Sequence, residues 1–273
     1  MVKAKSVNKN KIVYTVLLLV CVLGFWFFEN FYTPDTYSEG SGEVEKTEIP
    51  KFFLPSSTTG DIVSHEHFKL SYHEDFEQAE WVSYLLKKEH LTYDDRKRPY
   101  FIEDPKVRTK SADWRNYKGS GYDRGHLCPA GDRRFSKQAY NETFYTSNIS
   151  PQDRAFNAGV WNRLELQIRQ WTKKYGTLFV VTGGVLEGGL EEIGEEDVDV
   201  PRYYYKIVAR GDLDELKLIG FLMSGEESTK ALNQFVVPID DIEKMTGIDF
   251  FEKLENEKEA ILERDVVIKN WKF

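Results

Sequence analysis

Residues 119–165 read GSGYDRGHLCPAGDRRFSKQAYNETFYTSNISPQDRAFNAGVWNRLE. One histidine, His126, follows Asp123, Arg124 and Gly125; two asparagines, Asn148 and Asn157, lie nine residues apart; Glu165 closes the stretch. Phe156 to Tyr175 predicts a helix of about five turns, stopped by Gly176. At 100° per residue, Val160, Leu164, Ile168 and Trp171 form one apolar stripe that should face a sheet. Asn157 projects into the same sector and Glu165 lies on its flank. An amide directed inward at a first turn must find a partner. Either it is a helix-start asparagine bonded to backbone, or its oxygen is a metal ligand.

The residue types fit the second reading. Hydrolysing a phosphodiester takes a base for the water, a cation over the developing charge, and protection of the leaving oxygen. An ordinary imidazole, with a pKa near 6.5, can accept a proton at neutral pH, so His126 is the candidate base and activity should fall below about pH 6. Gly125 allows close backbone approach, and Arg124 can grip a phosphate through two N–H groups. Mg²⁺ prefers oxygen and keeps several waters, so one neutral amide such as Asn157 can suffice as direct ligand, with Glu165 holding water around the ion. Asn148, in Ser147-Asn148-Ile149-Ser150-Pro151-Gln152, can fix the loop that approaches the histidine.

Outward from this stretch, the composition bounds the class. The 273 residues are 41% hydrophobic and 14% aromatic, enough for one sizeable core plus appendages. A net charge of -8 excludes a generally basic nucleic-acid binder but not basic residues gathered at one site. Between Arg96 and Arg134 there are eleven Lys and Arg against five acids, interleaved with Tyr100, Phe101, Trp114, Tyr117 and Tyr122. This is either a phosphate-tracking groove with stacking surfaces or a solvated face. Glu187 to Asp199 carries seven acids and no base, which predicts an exposed loop away from a polyanion. Cys21 and Cys128 form no disulfide framework, and Cys128 should be a packed thiol.

The N-terminal residues 1–11 are basic, and Ile12 to Phe28 is an uncharged apolar run with no small-residue cleavage site after it. The run predicts an uncleaved transmembrane signal-anchor over 12–28, a cytoplasmic tail over 1–11 and an extracytoplasmic remainder. Residues 29–60 read as a flexible acidic linker and 61–273 as the folded domain. Within it, Val63–Tyr72 suits a strand, Glu77–Lys88 a helix, and Thr177–Thr182 a buried strand with Gly183-Gly184 as its turn. Tyr203–Ala209, Leu216–Met223 and Phe235–Ile239 are further strands; Asp241–Thr246 and Phe250–Glu263 are helices. The pair His65 and His67 lacks a third metal ligand and reads as a solvated strand face.

Asp123-Arg124-Gly125-His126, then Ser-Asn-Ile-Ser-Pro-Gln, then Asn157-x-x-x-Trp161-x-x-Leu164-Glu165 together resemble the DNA/RNA non-specific endonuclease family, which includes secreted bacterial nucleases and endonuclease G. The resemblance runs over roughly residues 68 to 252, including Gln78-Ala79-Glu80-Trp81, Tyr117-Lys118-Gly119-Ser120-Gly121 and Thr246-Gly247-Ile248-Asp249-Phe250-Phe251. It implies an α+β, ββα-metal (His-Me finger) fold with a central antiparallel sheet flanked by helices, here preceded by a transmembrane helix. It implies His126 as general base, Asn157 as the Mg²⁺ ligand, Glu165 as a binder of metal-bound water, and Arg124 as a phosphate or transition-state contact. Arg98 matches a further active-site arginine more loosely. Mn²⁺ or another divalent cation is a possible substitute, the substrates would be DNA and RNA, and the products would carry 5′-phosphates. Cys128 stands where the family commonly has a small residue. The rivals are a catalytically idle, membrane-tethered nucleic-acid-binding module and a phosphodiesterase acting on another polymer. The sequence leaves the oligomeric state open; the domain would be periplasmic or at the cell surface if the source is bacterial.

Overall fold

The computed structural model describes residues 9–32, 37, 49–93 and 95–273. Two compact units result, residues 1–35 and 36–273. In the first, helix α1 (Lys9–Phe31) is apolar and exposed along its described side chains. Lys9–Phe28 is long and apolar enough to cross a membrane by length and composition. Residues 1–8 of the expected tail, and 33–36 and 38–48 of the expected linker, lie outside the described residues.

The second unit is built on strands β1 (Ile62–Ser64), β2 (Phe68–His73) and β3 (Gln78–Leu86), then β4 (Asp123–His126), helix α2 (Lys137–Glu142) and β5 (Ile149–Gln152). There follow α3 (Arg154–Phe156), α4 (Asn162–Tyr175), β6 (Leu178–Gly184), β7 (Glu191–Ile193), β8 (Val198–Val200), β9 (Tyr203–Arg210), β10 (Lys217–Ser224) and β11 (Val236–Val237). Helices α5 (Ile239–Thr246) and α6 (Asn256–Arg264) come last. The main sheet has seven strands in the order β1-β2-β3-β6-β9-β10-β11, every pair antiparallel. Strands β4 and β5 form a separate two-stranded ribbon, as do β7 and β8.

Side chains alternate across the sheet into two cores. Val82, Tyr84, Val180, Tyr204, Val208 and Phe221 meet the stripe of Val160, Leu164, Ile168 and Trp171 on one face. Trp81, Val181, Tyr205 and Ile207 meet Ile239, Ile242, Phe250 and Phe251 on the other. Covering both faces removes the polar-apolar alternation that marks a half-buried strand. That corrects the expected helix over Glu77–Lys88: it is β3, all nine residues buried. The expected Gly183-Gly184 turn instead lies inside β6. A Cβ on Gly183 would sit 2.3 Å from the Glu80 carbonyl oxygen, so the closeness of β3 requires a glycine there.

Other boundaries also differ. Val63–Tyr72 is a hairpin, β1 and β2, broken at His65–His67. Those histidines are buried, not solvated, and His65 Nε2 lies 2.8 Å from Asp104 Oδ2. The strand expected over Phe235–Ile239 shortens to β11, and α6 begins only at Asn256, because Phe250 and Phe251 are drawn into the second core as irregular chain. Packing among the described residues starts before the expected Asp61: Tyr37 already packs against Tyr145 and donates its hydroxyl to the Tyr100 carbonyl. Ile49 and Phe53 are buried in the second core, with the Phe53 ring stacked 3.7 Å from Phe179. The Thr58 amide donates to the Glu80 carboxylate, and Trp81 Nε1 donates to the Ser56 carbonyl.

Candidate active site

Strand β4 is too short to hold its own geometry, and Asn148 secures its end. Its Oδ1 accepts from the Cys128 amide at 2.8 Å; its Nδ2 donates to the Cys128 and Thr143 carbonyls at 3.0 and 2.9 Å. The Leu127 amide also donates to the Asn148 carbonyl. On β4 itself, Gly125 lies against the Gln152 side chain, which any Cβ would strike, while His126 pairs with Ile149 in register.

Alternation puts Arg124 and His126 on one side of β4 and Asp123 and Gly125 on the other. The His126 ring meets Phe144 edge-on at 4.9 Å and Phe101 at 5.6 Å. Arg124 lies over Phe101 at 4.7 Å and Trp114 at 5.7 Å, and Arg98 over Phe101 at 5.0 Å and Phe144 at 5.3 Å. Both guanidiniums and the imidazole therefore share Phe101, and Arg98 and the imidazole share Phe144 as well. Burial, then Arg98, then Arg124, pushes the His126 pKa down to about 3, and Nε2 is buried without a hydrogen-bond partner. The onset of charging near pH 6 expected of an ordinary imidazole is corrected: desolvation and two cations hold this one neutral well below that.

Asp123, on the other side, accepts a 3.1 Å hydrogen bond from Asn157 Nδ2. Asn157 is not the helix cap; that is Asp153, whose carboxylate accepts from the Ala155 and Phe156 amides. The helix is also not continuous as expected. Asn157–Trp161 is a π-helical turn, with Gly159 at φ -99°, ψ -109°, and regular α4 follows. The Val160 amide freed there donates to Glu227 at 2.8 Å. Gly176 ends α4 as expected.

With Nδ2 committed to Asp123, the oxygen of the Asn157 amide is its remaining polar atom. An amide oxygen beside a carboxylate is a donor set that suits a hard divalent ion such as Mg²⁺, so these residues fit one. Glu165 lies two helical turns on, paired with Arg169 Nη2 at 3.3 Å. Burial pushes it up to about 7, against the pull of Lys206 and Arg169. Arg169 Nε also holds Asp132 at 2.5 Å.

Several participants were not singled out from the sequence. Phe144 carries no signal of its own, and Asp123 and Phe101 stand in the motif and the basic segment without a role. Lys206 does carry a signal: it stands at an inward position of the apolar run Tyr203–Arg210, is fully buried, and its Nζ lies 4.5 Å over the Trp161 ring. The basic segment is also mixed in role, since Arg133 is buried and donates to the His67 and Leu85 carbonyls. The acidic segment is exposed as expected at six of its seven acids, all but Asp199, but it is not a loop. It is the β7–β8 ribbon, with Ile193 and Val198 packed in a core with Phe101 and Tyr117. Its Glu196 accepts from the Asp113 amide and Asn116, and Glu191 from the Tyr122 hydroxyl. Cys128 is buried and its thiol is pushed up to about 12 by burial.

A family model described as DNA/RNA non-specific endonuclease matches residues 45–257. The human mitochondrial nuclease EXOG is 34% identical over 238 residues, covering 81% of this chain and 64% of that protein. Human mitochondrial endonuclease G is 34% identical over 221 residues, covering 74% of this chain and 73% of that protein. Nuclease C1 of Cunninghamella echinulata var. echinulata is 34% identical over 228 residues, with 74% and 87% coverage. Among solved structures, an EndoG in complex with EndoGI superposes with a TM-score of 0.66 at 31% identity, covering 72% of this chain and 88% of that one. The extent of the family match and the shared ββα arrangement of β4, β5 and the helix after them agree: this chain belongs to the DNA/RNA non-specific endonuclease family.

Proposed function

We propose that this protein is a membrane-tethered, extracytoplasmic, Mg²⁺-dependent endonuclease that cuts DNA and RNA with little sequence preference and leaves 5′-phosphates. The observation that carries the reading is the tie between Asp123 and Asn157, which couples the histidine strand to the amide at the start of the next helix. Family membership and the nuclease names of the relatives support the substrate class. The long apolar helix α1 supports the tether.

His126, kept neutral by burial and by Arg98 and Arg124, takes the proton of the attacking water on its ring. Arg124, seated on Phe101 and Trp114, binds the scissile phosphate and offsets its growing negative charge; Arg98 assists from Phe101 and Phe144. Asn157 and Glu165 would hold the Mg²⁺, directly and through water, with Asp123 fixing the Asn157 amide. When bound, the ion supplies Lewis-acid stabilisation of the phosphate and of the departing 3′-oxygen. Asn148 holds the histidine's strand in register.

The test is cleavage of supercoiled plasmid and of RNA by the full chain in detergent, with Mg²⁺ and with EDTA. EDTA should abolish cleavage. His126→Ala should lower the rate by about 10²- to 10⁴-fold while preserving the circular-dichroism spectrum and DNA affinity. A retained rate in that variant rejects the base; binding without cleavage by the wild type would instead favour an idle nucleic-acid-binding module.

A further inference from the structure

Five of the carboxylates on helices α5 and α6 and the segment between them draw together, and the proposed chemistry uses none of them. Asp240 and Glu243 stand on α5, Asp249 on the connection, Glu259 and Glu263 on α6. One oxygen from each of Asp240, Glu243 and Glu263 lies within 4.8 Å of the others, and the same holds for Asp249, Glu259 and Glu263. Glu263 belongs to both groups. It is 6% exposed, and its Oε1 is buried with no hydrogen-bond partner. Glu259 Oε1 is buried and unpartnered as well.

A buried carboxylate normally has a cation or several N–H donors beside it. The strongest charges acting on Glu263 are instead four more acids, Glu243, Glu259, Asp249 and Asp240. Oxygens up to 4.8 Å apart are separated by about twice a Ca²⁺–oxygen bond of roughly 2.3–2.6 Å. Five carboxylates on two helices and a connecting segment also suit an ion that accepts six to eight oxygens in adaptable geometry better than one demanding a strict octahedron.

We infer that this cluster binds one Ca²⁺, with Glu263 as the central ligand and carboxylates of Asp240, Glu243, Asp249 and Glu259 around it. The family match ends at residue 257, so Glu259 and Glu263 lie beyond it. The ion clasps α6 to α5 and to the segment around Asp249, which is itself held by Ser56 through paired bonds.

The full chain in detergent carrying Asn157→Ala, which lacks the active-site amide ligand, is equilibrated with radioactive Ca²⁺ and unfolded in urea with and without CaCl₂. One Ca²⁺ per chain should bind with half-saturation below about 1 mM, and CaCl₂ should raise the urea midpoint. Adding Glu263→Gln should weaken binding by about tenfold or more. In EDTA that variant should unfold at higher urea than its parent, because a buried carboxyl crowded by four other acids is gone. Glu259→Gln, at a half-buried position, should weaken binding too and serves if the Glu263 variant does not fold. No Ca²⁺ bound by the Asn157→Ala chain, or unchanged binding in either folded Gln variant, overturns the site. Cleavage is not the readout, so the result is independent of the proposed nuclease chemistry.

Discussion

Replacing Asn148 by alanine tests whether the histidine strand is secured as its hydrogen bonds indicate. Asn148 is fully buried and satisfies three backbone groups: the Cys128 amide and the Cys128 and Thr143 carbonyls. Alanine leaves all three without their partner. At about 1 kcal/mol each, the low end for an unsatisfied buried group, the loss is about 3 kcal/mol, a large part of the stability of an ordinary domain. For a domain of this size that corresponds to a fall in Tm of roughly 6–12 °C. Asn148→Asp sharpens the test. At neutral pH the introduced carboxylate still accepts from the Cys128 amide but faces two carbonyls with no proton to give. It should therefore cost at least as much as alanine, and part of the loss should return at acid pH, when the protonated carboxyl can donate. Urea unfolding followed by tryptophan fluorescence reads both variants. A loss below about 1 kcal/mol for alanine, or wild-type stability for Asn148→Asp at pH 7, would refute the reasoning.

Three further outcomes are expected. His67, His90 and His126 are pushed down to about 4, 3 and 3, burial being the first cause in each; the unfolded chain takes protons on these rings from about pH 6.5 downward while the folded one resists. Their contribution is thus complete above pH 6.5 and lost as pH falls toward 3–4. His90→Gln should narrow its stability gap to the wild type as pH drops from 7 to 4.5 in urea titrations, and a constant gap would contradict this. Arg169→Met leaves the buried Asp132 carboxylate without its ion pair and should cost about 3 kcal/mol, with partial recovery when Asp132→Asn is added. A Cβ on Gly159 would fall on the Glu227 carboxylate, so Gly159→Ala should expel the acceptor of the Val160 amide, destabilise the protein by about 1–3 kcal/mol and slow plasmid cleavage.

The helix stripe was legible because Val160, Leu164, Ile168 and Trp171 recur at the period of one face, and all four are buried where that face meets the sheet. The candidate site was legible as residue types in order, through the resemblance that Asp123 to His126 and Asn157 carry together; the fold then joins Asp123 to Asn157 by a hydrogen bond. What was not legible depended on long-range placement. β3 read as a helix because burial on both faces erases alternation. The β7–β8 ribbon read as a repelled loop because its acids pair with backbone amides and side chains some eighty residues earlier. The depressed basicity of His126 needs the approach of Arg98, which the local sequence cannot supply. The π-helical turn at Gly159 follows from Glu227, a carboxylate arriving from beyond β10.

The segment from Ile49 to Thr59 decides how far the folded domain can be shortened from its N-terminal side. A recombinant chain starting at Asp61 would uncover Phe179, leave the Trp81 indole N–H unanswered and strip Glu80 of its Ser57 and Thr58 donors in the middle of β3. A shortened version that leaves the enzyme whole must therefore begin upstream of Ile49, because that stretch is sewn into the fabric it precedes.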